Sequence, residues 1–172
     1  MAWIWCVTLW EPWATLMSIL GPDELPWKCI ETRSWKPLSG QLRPGDLLGI
    51  HASKSEDGLR ECCREPIRSY LEAAGYRHEI TRRGEERWNL PLGVVRTIVQ
   101  YRDAWPTTHI RSSPFWRECE ADLGNYAPGR YGWITRPVLR LEPPIPARGA
   151  QGLWTWQLPA EVEEMLKRGG HL

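Results

Sequence analysis

The 172-residue sequence predicts one α+β domain built on a small barrel or curled sheet, and three observations point that way. Six or so short runs are rich in β-branched and aromatic residues. Short helical patterns and several turns lie between them. The two kinds of run never settle into the regular βαβ alternation of a parallel, doubly wound sheet. A chain of this length buries one substantial core, and 42% apolar residues leave little surplus for a second.

Taken in order, MAWIWCVTL reads as a strand and EPWATLMSIL as a short helix, with Pro12 in its first turn and Gly21 just past its end. CIETRSW alternates charged positions with apolar and small ones, so a strand here carries Glu31 and Arg33 on one face, with Lys28 at the turn before it. RPGD marks a turn, and LLGIHA follows as a nearly continuous apolar strand buried on both sides. Leu59, Cys63, Ile67, Tyr70, Leu71 and Ala74 recur at helical spacing between Ser55, an N-cap residue, and Gly75, while Pro66 kinks or splits that helix.

RHEITRRGEERWN is polar and densely charged, which predicts a hairpin or an excursion outside the barrel. LGVVRTIVQY returns as a strand, and Ser113 and Pro114 open a short helix through Leu123. GRYGWIT, VLRLE and GLWTWQL read as the last strands, and PAEVEEMLKR as a closing helix started by Pro159.

Composition narrows the functional classes. The longest apolar runs, such as TLMSIL, are too short for a membrane span or a secretory core, so the expectation is a cytoplasmic protein with no membrane partner. The five cysteines at positions 6, 29, 62, 63 and 119 form no CxxC pair, so neither a disulfide framework nor a zinc ribbon fits and reduced thiols are expected. Adjacent residues such as Cys62 and Cys63 project about 100° apart on a helix and cannot readily share an ion with His78. No metal and no cofactor is expected.

The net charge of +1 lacks the global footprint of a strong nucleic-acid binder, so any basic surface must be local. Two biases say more. The chain has 12 Trp against a single Phe, and Trp offers a wide stacking face and an N–H donor as well as core bulk. Of its 22 cations only Lys28, Lys36, Lys54 and Lys167 are lysines, which makes each lysine a marked choice.

The segments LWEPWATL, PWKCIETRSWK, LLGIHASK, NYAPGRYGWIT and PIPARGAQGLWTW resemble, in the same order, the signature segments of the ASCH domain family. They cover about a third of the chain and span nearly all of it. Lys28, Glu31 and Arg33 match the family's GxKxxExR pattern, with Pro26 where glycine is usual. The region from 55 to 90 lies outside the pattern and reads as a charged helical insertion. The resemblance implies a PUA-like mixed β-barrel of about six strands with short flanking helices. It also implies a cleft for nucleic acid or a nucleotide, floored by the KxxExR strand and bordered by the first helix. Members of the family are mostly predicted RNA binders, and certain small bacterial ones deacylate N4-acylcytidine.

The residues themselves leave two chemistries open. Arg33 offers a planar fork for a phosphate or a base edge and stays charged. Lys28 beside Glu31 is either a phosphate anchor, a task arginine could also perform, or a base or nucleophile, which arginine could not be. The plain alternative is a surface ion pair worth about 0–1 kcal/mol. Trp13 and Trp35 flank the strand and suit base stacking, worth about 1–3 kcal/mol per base, although Trp13 serves equally well to pack the first helix. His51 reads as a hydrogen-bonded residue near the core, while Ser53 and Lys54 at that strand's exit suit a phosphate. In APGRYGW, Arg130 is the functional candidate, and Tyr131 and Trp133 enter a buried strand. The segment has neither GK[ST] nor GxGxxG.

The leading expectation is therefore a domain binding RNA, or a single-stranded or modified nucleotide, through Trp13, Lys28, Arg33, Trp35, Ser53, Lys54 and Arg130. The alternative is a hydrolase acting on N4-acylated cytidine or RNA, with Lys28 and Glu31 catalytic. A third expectation is a protein partner met through the 55–90 insertion.

Overall fold

The strand-forming runs assemble mainly into one sheet. The computed structural model describes residues 1–80, 82–84 and 86–172. Its strands are β1 (Trp3–Leu9), β2 (Ile30–Arg33), β3 (Leu47–Ala52), β4 (His78–Ile80), β5 (Glu86–Trp88), β6 (Val94–Pro106), β7 (Tyr131–Pro146) and β8 (Leu153–Gln157). β4 and β5 form a separate hairpin, as the charged stretch around them predicts. The other six make a mixed sheet in the order β2-β7-β6-β3-β1-β8, antiparallel throughout except for the parallel pair β1 and β3. The α+β class and the six strands match expectation, but the sheet is open rather than a closed barrel, since β2 and β8 end it without pairing to each other.

β3 occupies an inner position and is buried along its whole length, which is what its unbroken apolar run requires. GRYGWIT and VLRLE, read as two strands, are parts of the single strand β7. Pro137, which cannot donate to a ladder, falls where the β6–β7 register shifts between Ile98 and Val99, so the irregularity carries it without ending the strand.

The helices are short. α1 (Trp13–Leu16) is shorter than its apolar run suggests. Pro66 splits the next pattern into a 3-10 turn at Leu59–Cys63 and α2 (Ile67–Ala73). α3 (Thr107–Ile110) falls where no helix was expected, and the helix expected between Ser113 and Leu123 is reduced to a 3-10 turn at Glu118–Asp122. α4 (Ala160–Arg168) follows Pro159, with Glu161 and Glu163 in its first turn and Lys167 and Arg168 in its last, complementing the helix dipole.

Apolar residues bury on both faces of the sheet. Ile4 and Cys6 join Ile98, Trp156 and Leu166 beneath α4, whereas Val7 and Leu9 pack with Met17, Leu48, Ile50 and Trp133. A third cluster corrects the reading of the charged stretch 77–89 as lying wholly outside the core, since it buries Trp88 along with apolar residues of the helical insertion before it. Cys62, Ile67, Leu71, Trp88 and Leu90 pack with Leu16, Ile19 and Leu123, so the region's charged exterior covers an apolar face docked on the rest of the chain. Among the described residues no helix is long and apolar enough to cross a membrane.

Candidate functional site

β2 carries the charged trio, and its period-2 geometry puts Glu31 and Arg33 on the same face. The Glu31 carboxylate is bracketed: Oε1 lies 3.0 Å from Arg33 Nε and Oε2 lies 3.3 Å from Lys28 Nζ. Arg33 also donates from Nη2 to the Thr8 carbonyl at 2.7 Å, tying β2 to β1.

Lys28 departs from expectation. It belongs to no surface ion pair, being only 1% exposed. Its ammonium donates to the Ile30 carbonyl at 2.5 Å and the Leu123 carbonyl at 2.8 Å, with Glu31 alongside and the Trp13 ring centroid 5.9 Å away. Two carbonyls and a carboxylate occupy its three N–H donors. A second acid lies close behind: Glu120 is fully buried, and its Oε1 accepts the Cys29 N–H at 2.5 Å. Burial pushes its carboxyl above the usual range, and the Lys28 charge works against that rise.

Two cavities meet this strand. The first, about 300 Å³, is lined by Trp13, Lys28, Glu31, Arg64, Asn125 and Arg130 among others. Its charges are balanced, because Glu61 and Asp122 accompany the cations. Arg130 donates from Nε to the Asn125 carbonyl at 3.1 Å and from Nη2 to the Thr32 carbonyl at 3.0 Å, which fixes the turn before β7 against β2.

The second cavity, about 780 Å³, is lined by Trp10, Arg33, His51, Ser53, Lys54 and Arg148, together with Thr8 and residues 149–152. Among the described residues no carboxylate lines it. The Glu31–Arg33 ion pair joins the two spaces, with Glu31 on the first and Arg33 on the second. His51 is buried, as its place in an apolar strand implies, and contacts Thr8 Oγ1 through Nδ1 at 3.2 Å and the Ala147 carbonyl through Nε2 at 3.1 Å. Burial holds its pKa below the ordinary histidine value, and nearby Lys54 adds to the effect. Gly149 lies so close that a Cβ there would meet His51 Cε1 at 2.4 Å.

The expected residues thus divide. Trp13, Lys28, Glu31 and Arg130 gather on the first cavity, and Arg33, Ser53 and Lys54 on the second. Trp35 lines neither: it packs edge-on against Trp133 at 4.8 Å, and its carbonyl accepts the Trp133 indole N–H. Sequence reasoning missed Trp10, Thr8, Arg148 and the loop from 147 to 152. The signal that could have found them was the pair of glycines in ARGAQG beside an arginine, within one of the segments that carry the resemblance.

No family model matches the chain, and no curated protein matches it either.

Proposed function

We propose that this chain is a nucleic-acid-binding domain of the ASCH type, akin to PUA-like barrels, which holds RNA or a single-stranded or modified nucleotide along β2. One observation carries the reading. Arg33, Lys54 and Arg148 converge with Trp10, 51% exposed, on one open cavity that no carboxylate lines among the described residues. Cations supply phosphate affinity and an exposed indole supplies a sequence-tolerant stacking face. The smaller, charge-balanced cavity next to it, with Trp13, Glu31, Asn125 and Arg130, offers both donors and acceptors to a base edge.

The test is titration of a fluorescent single-stranded RNA into the wild-type protein and into the Arg33→Ala/Lys54→Ala double variant. Affinity should fall by tenfold or more in the variant. With about three phosphate contacts, log K should fall with log salt at a slope of about −2. Undiminished binding by the double variant overturns the placement.

The hydrolase reading draws less support. Lys28 and Glu31 do adjoin at 3.3 Å beside a cavity, but the ammonium is held by two carbonyls and must release a proton before it can act as a base or nucleophile. Incubation of the wild-type protein with N4-acetylcytidine decides this reading, and release of acetate establishes it.

A further inference from the structure

The loop between β7 and β8 is built around an unusual hydrogen-bond count. Thr8 Oγ1 on β1 makes three contacts: the Trp154 indole N–H at 3.1 Å, His51 Nδ1 at 3.2 Å and the Ala150 carbonyl at 3.0 Å. A hydroxyl has one proton to donate and two lone pairs to accept with. The indole must donate to it, and the Ala150 carbonyl must receive its proton.

The His51 ring is constrained as well. Its Nε2 faces the Ala147 carbonyl, so Nε2 must carry a proton. In neutral His51, Nδ1 is then an acceptor, and it competes with the Ala150 carbonyl for the single Thr8 proton. In protonated His51, Nδ1 donates to Thr8 Oγ1, the Thr8 proton goes to Ala150, and every group in the network is satisfied. The imidazolium is therefore the form that seats the loop completely at both Ala147 and Ala150.

What opposes it is its surroundings. Among the described residues, the charged groups lining the same cavity are Arg33 from β2, Lys54 just after β3 and Arg148 from the loop, all cationic. The Trp154 ring lies edge-on to His51 at 5.5 Å, and Glu31 is engaged by Lys28 and Arg33 on the neighbouring cavity. Meanwhile the backbone N–H groups of residues 148–152 find no protein acceptor among the described residues. Three cations gathered around one glycine-containing loop with free N–H groups are the donors an anion requires.

We propose that the 147–152 loop, with Arg33, Lys54 and Arg148, is a phosphate seat whose occupation is coupled to uptake of one proton from solvent by His51 Nδ1. The anion offsets the three cations, the added charge of the imidazolium is then tolerated, and its extra N–H locks the loop beneath the ligand. The proposal rests on the nucleic-acid reading for the source of the phosphate, but the seat itself is tested separately.

The experiment follows the His51 ring by NMR in the full chain labelled with 15N-histidine, between pH 5 and 8.5, with and without sodium sulfate, which remains a dianion throughout. Sulfate should shift the loop amides and raise the His51 pKa by about one unit, so that it binds about tenfold more tightly at pH 5 than at pH 8. In His51→Gln, which keeps a donor for Ala147 but cannot titrate, sulfate affinity should be fixed at the weak, high-pH level. Absence of loop-amide shifts, or a His51 titration unmoved by saturating sulfate, overturns the proposal. The wild-type titration decides the matter even if the variant fails to fold. A parallel titration with the dinucleoside monophosphate UpU separates the two readings. UpU bound without proton uptake leaves the nucleic-acid reading standing and defeats the coupling. Sulfate-linked uptake with no affinity for UpU or longer RNA does the reverse.

Discussion

Why residue 28 is a lysine in a chain that otherwise prefers arginine is answered by geometry. A compact ammonium brings its three donors to the Ile30 and Leu123 carbonyls and the Glu31 carboxylate from a single nitrogen at 1% exposure, an arrangement a planar guanidinium fork does not match. Lys28→Met should destabilise the fold by about 2–4 kcal/mol in urea denaturation, because it leaves the Ile30 and Leu123 carbonyls without their side-chain donor and the Glu31 carboxylate with Arg33 alone. Lys28→Arg should also lose stability, so that swap reports packing before it reports chemistry. A second buried charge sets a pH dependence. Glu11 is wholly buried, and burial pushes its carboxyl up to about 7 despite Arg96 and two hydrogen bonds from Thr15. The folded protein then retains a proton that the unfolded chain has released, so Glu11 lowers stability progressively as pH rises from about 4.5 to 7. The shift corresponds to about 3 kcal/mol. Urea midpoints at pH 5 and pH 8 should show that loss in the wild type, and Glu11→Gln should flatten it.

Among the elements, the charged insertion is the one whose role changes most on folding. Leu71 on α2 is fully buried against the segment that follows α1, so Leu71→Ala should cost about 2–5 kcal/mol, as a core truncation does. A loss under 1 kcal/mol in urea would return residues 55–90 to the status of a peripheral arm free to meet a protein partner. Gly58 reports the same docking from the other side, since a Cβ there would meet the Glu11 carbonyl at 2.1 Å. The 147–152 loop is held by contact with the His51 ring. Gly149→Ala should displace it, weakening sulfate and RNA binding at least tenfold while the thermal midpoint moves little, as read by calorimetry beside the binding titration.

Over the whole molecule, charge and tryptophan are sorted by the fold rather than by composition. A net charge of +1 conceals a cavity that, among the described residues, is lined by three cations and no carboxylate. Most of the tryptophan excess is structural: Trp88, Trp133 and Trp156 are buried, Trp5, Trp27, Trp35, Trp105, Trp116 and Trp154 pack partly buried on the core clusters, and only Trp10 and Trp13 line either cavity. The strands were legible in the sequence because side-chain alternation has a period of two and inner strands need apolar residues on both faces. For the same reason the spacing of Glu31 and Arg33 was enough to put them on one face, and the apolar run around His51 was enough to assign it to a buried strand. Helix lengths were less legible, because tertiary contacts end α1 early and Pro66 starts α2 late. Local pattern thus determined the α+β class, the order of strands along the chain and one face of β2. The depth of Lys28 was decided by Leu123, 95 residues away, and the cationic cavity by β1, β2, β3 and the loop before β8. Burial and convergent charge are properties of surfaces brought together across the sheet, so only the tertiary structure decided them.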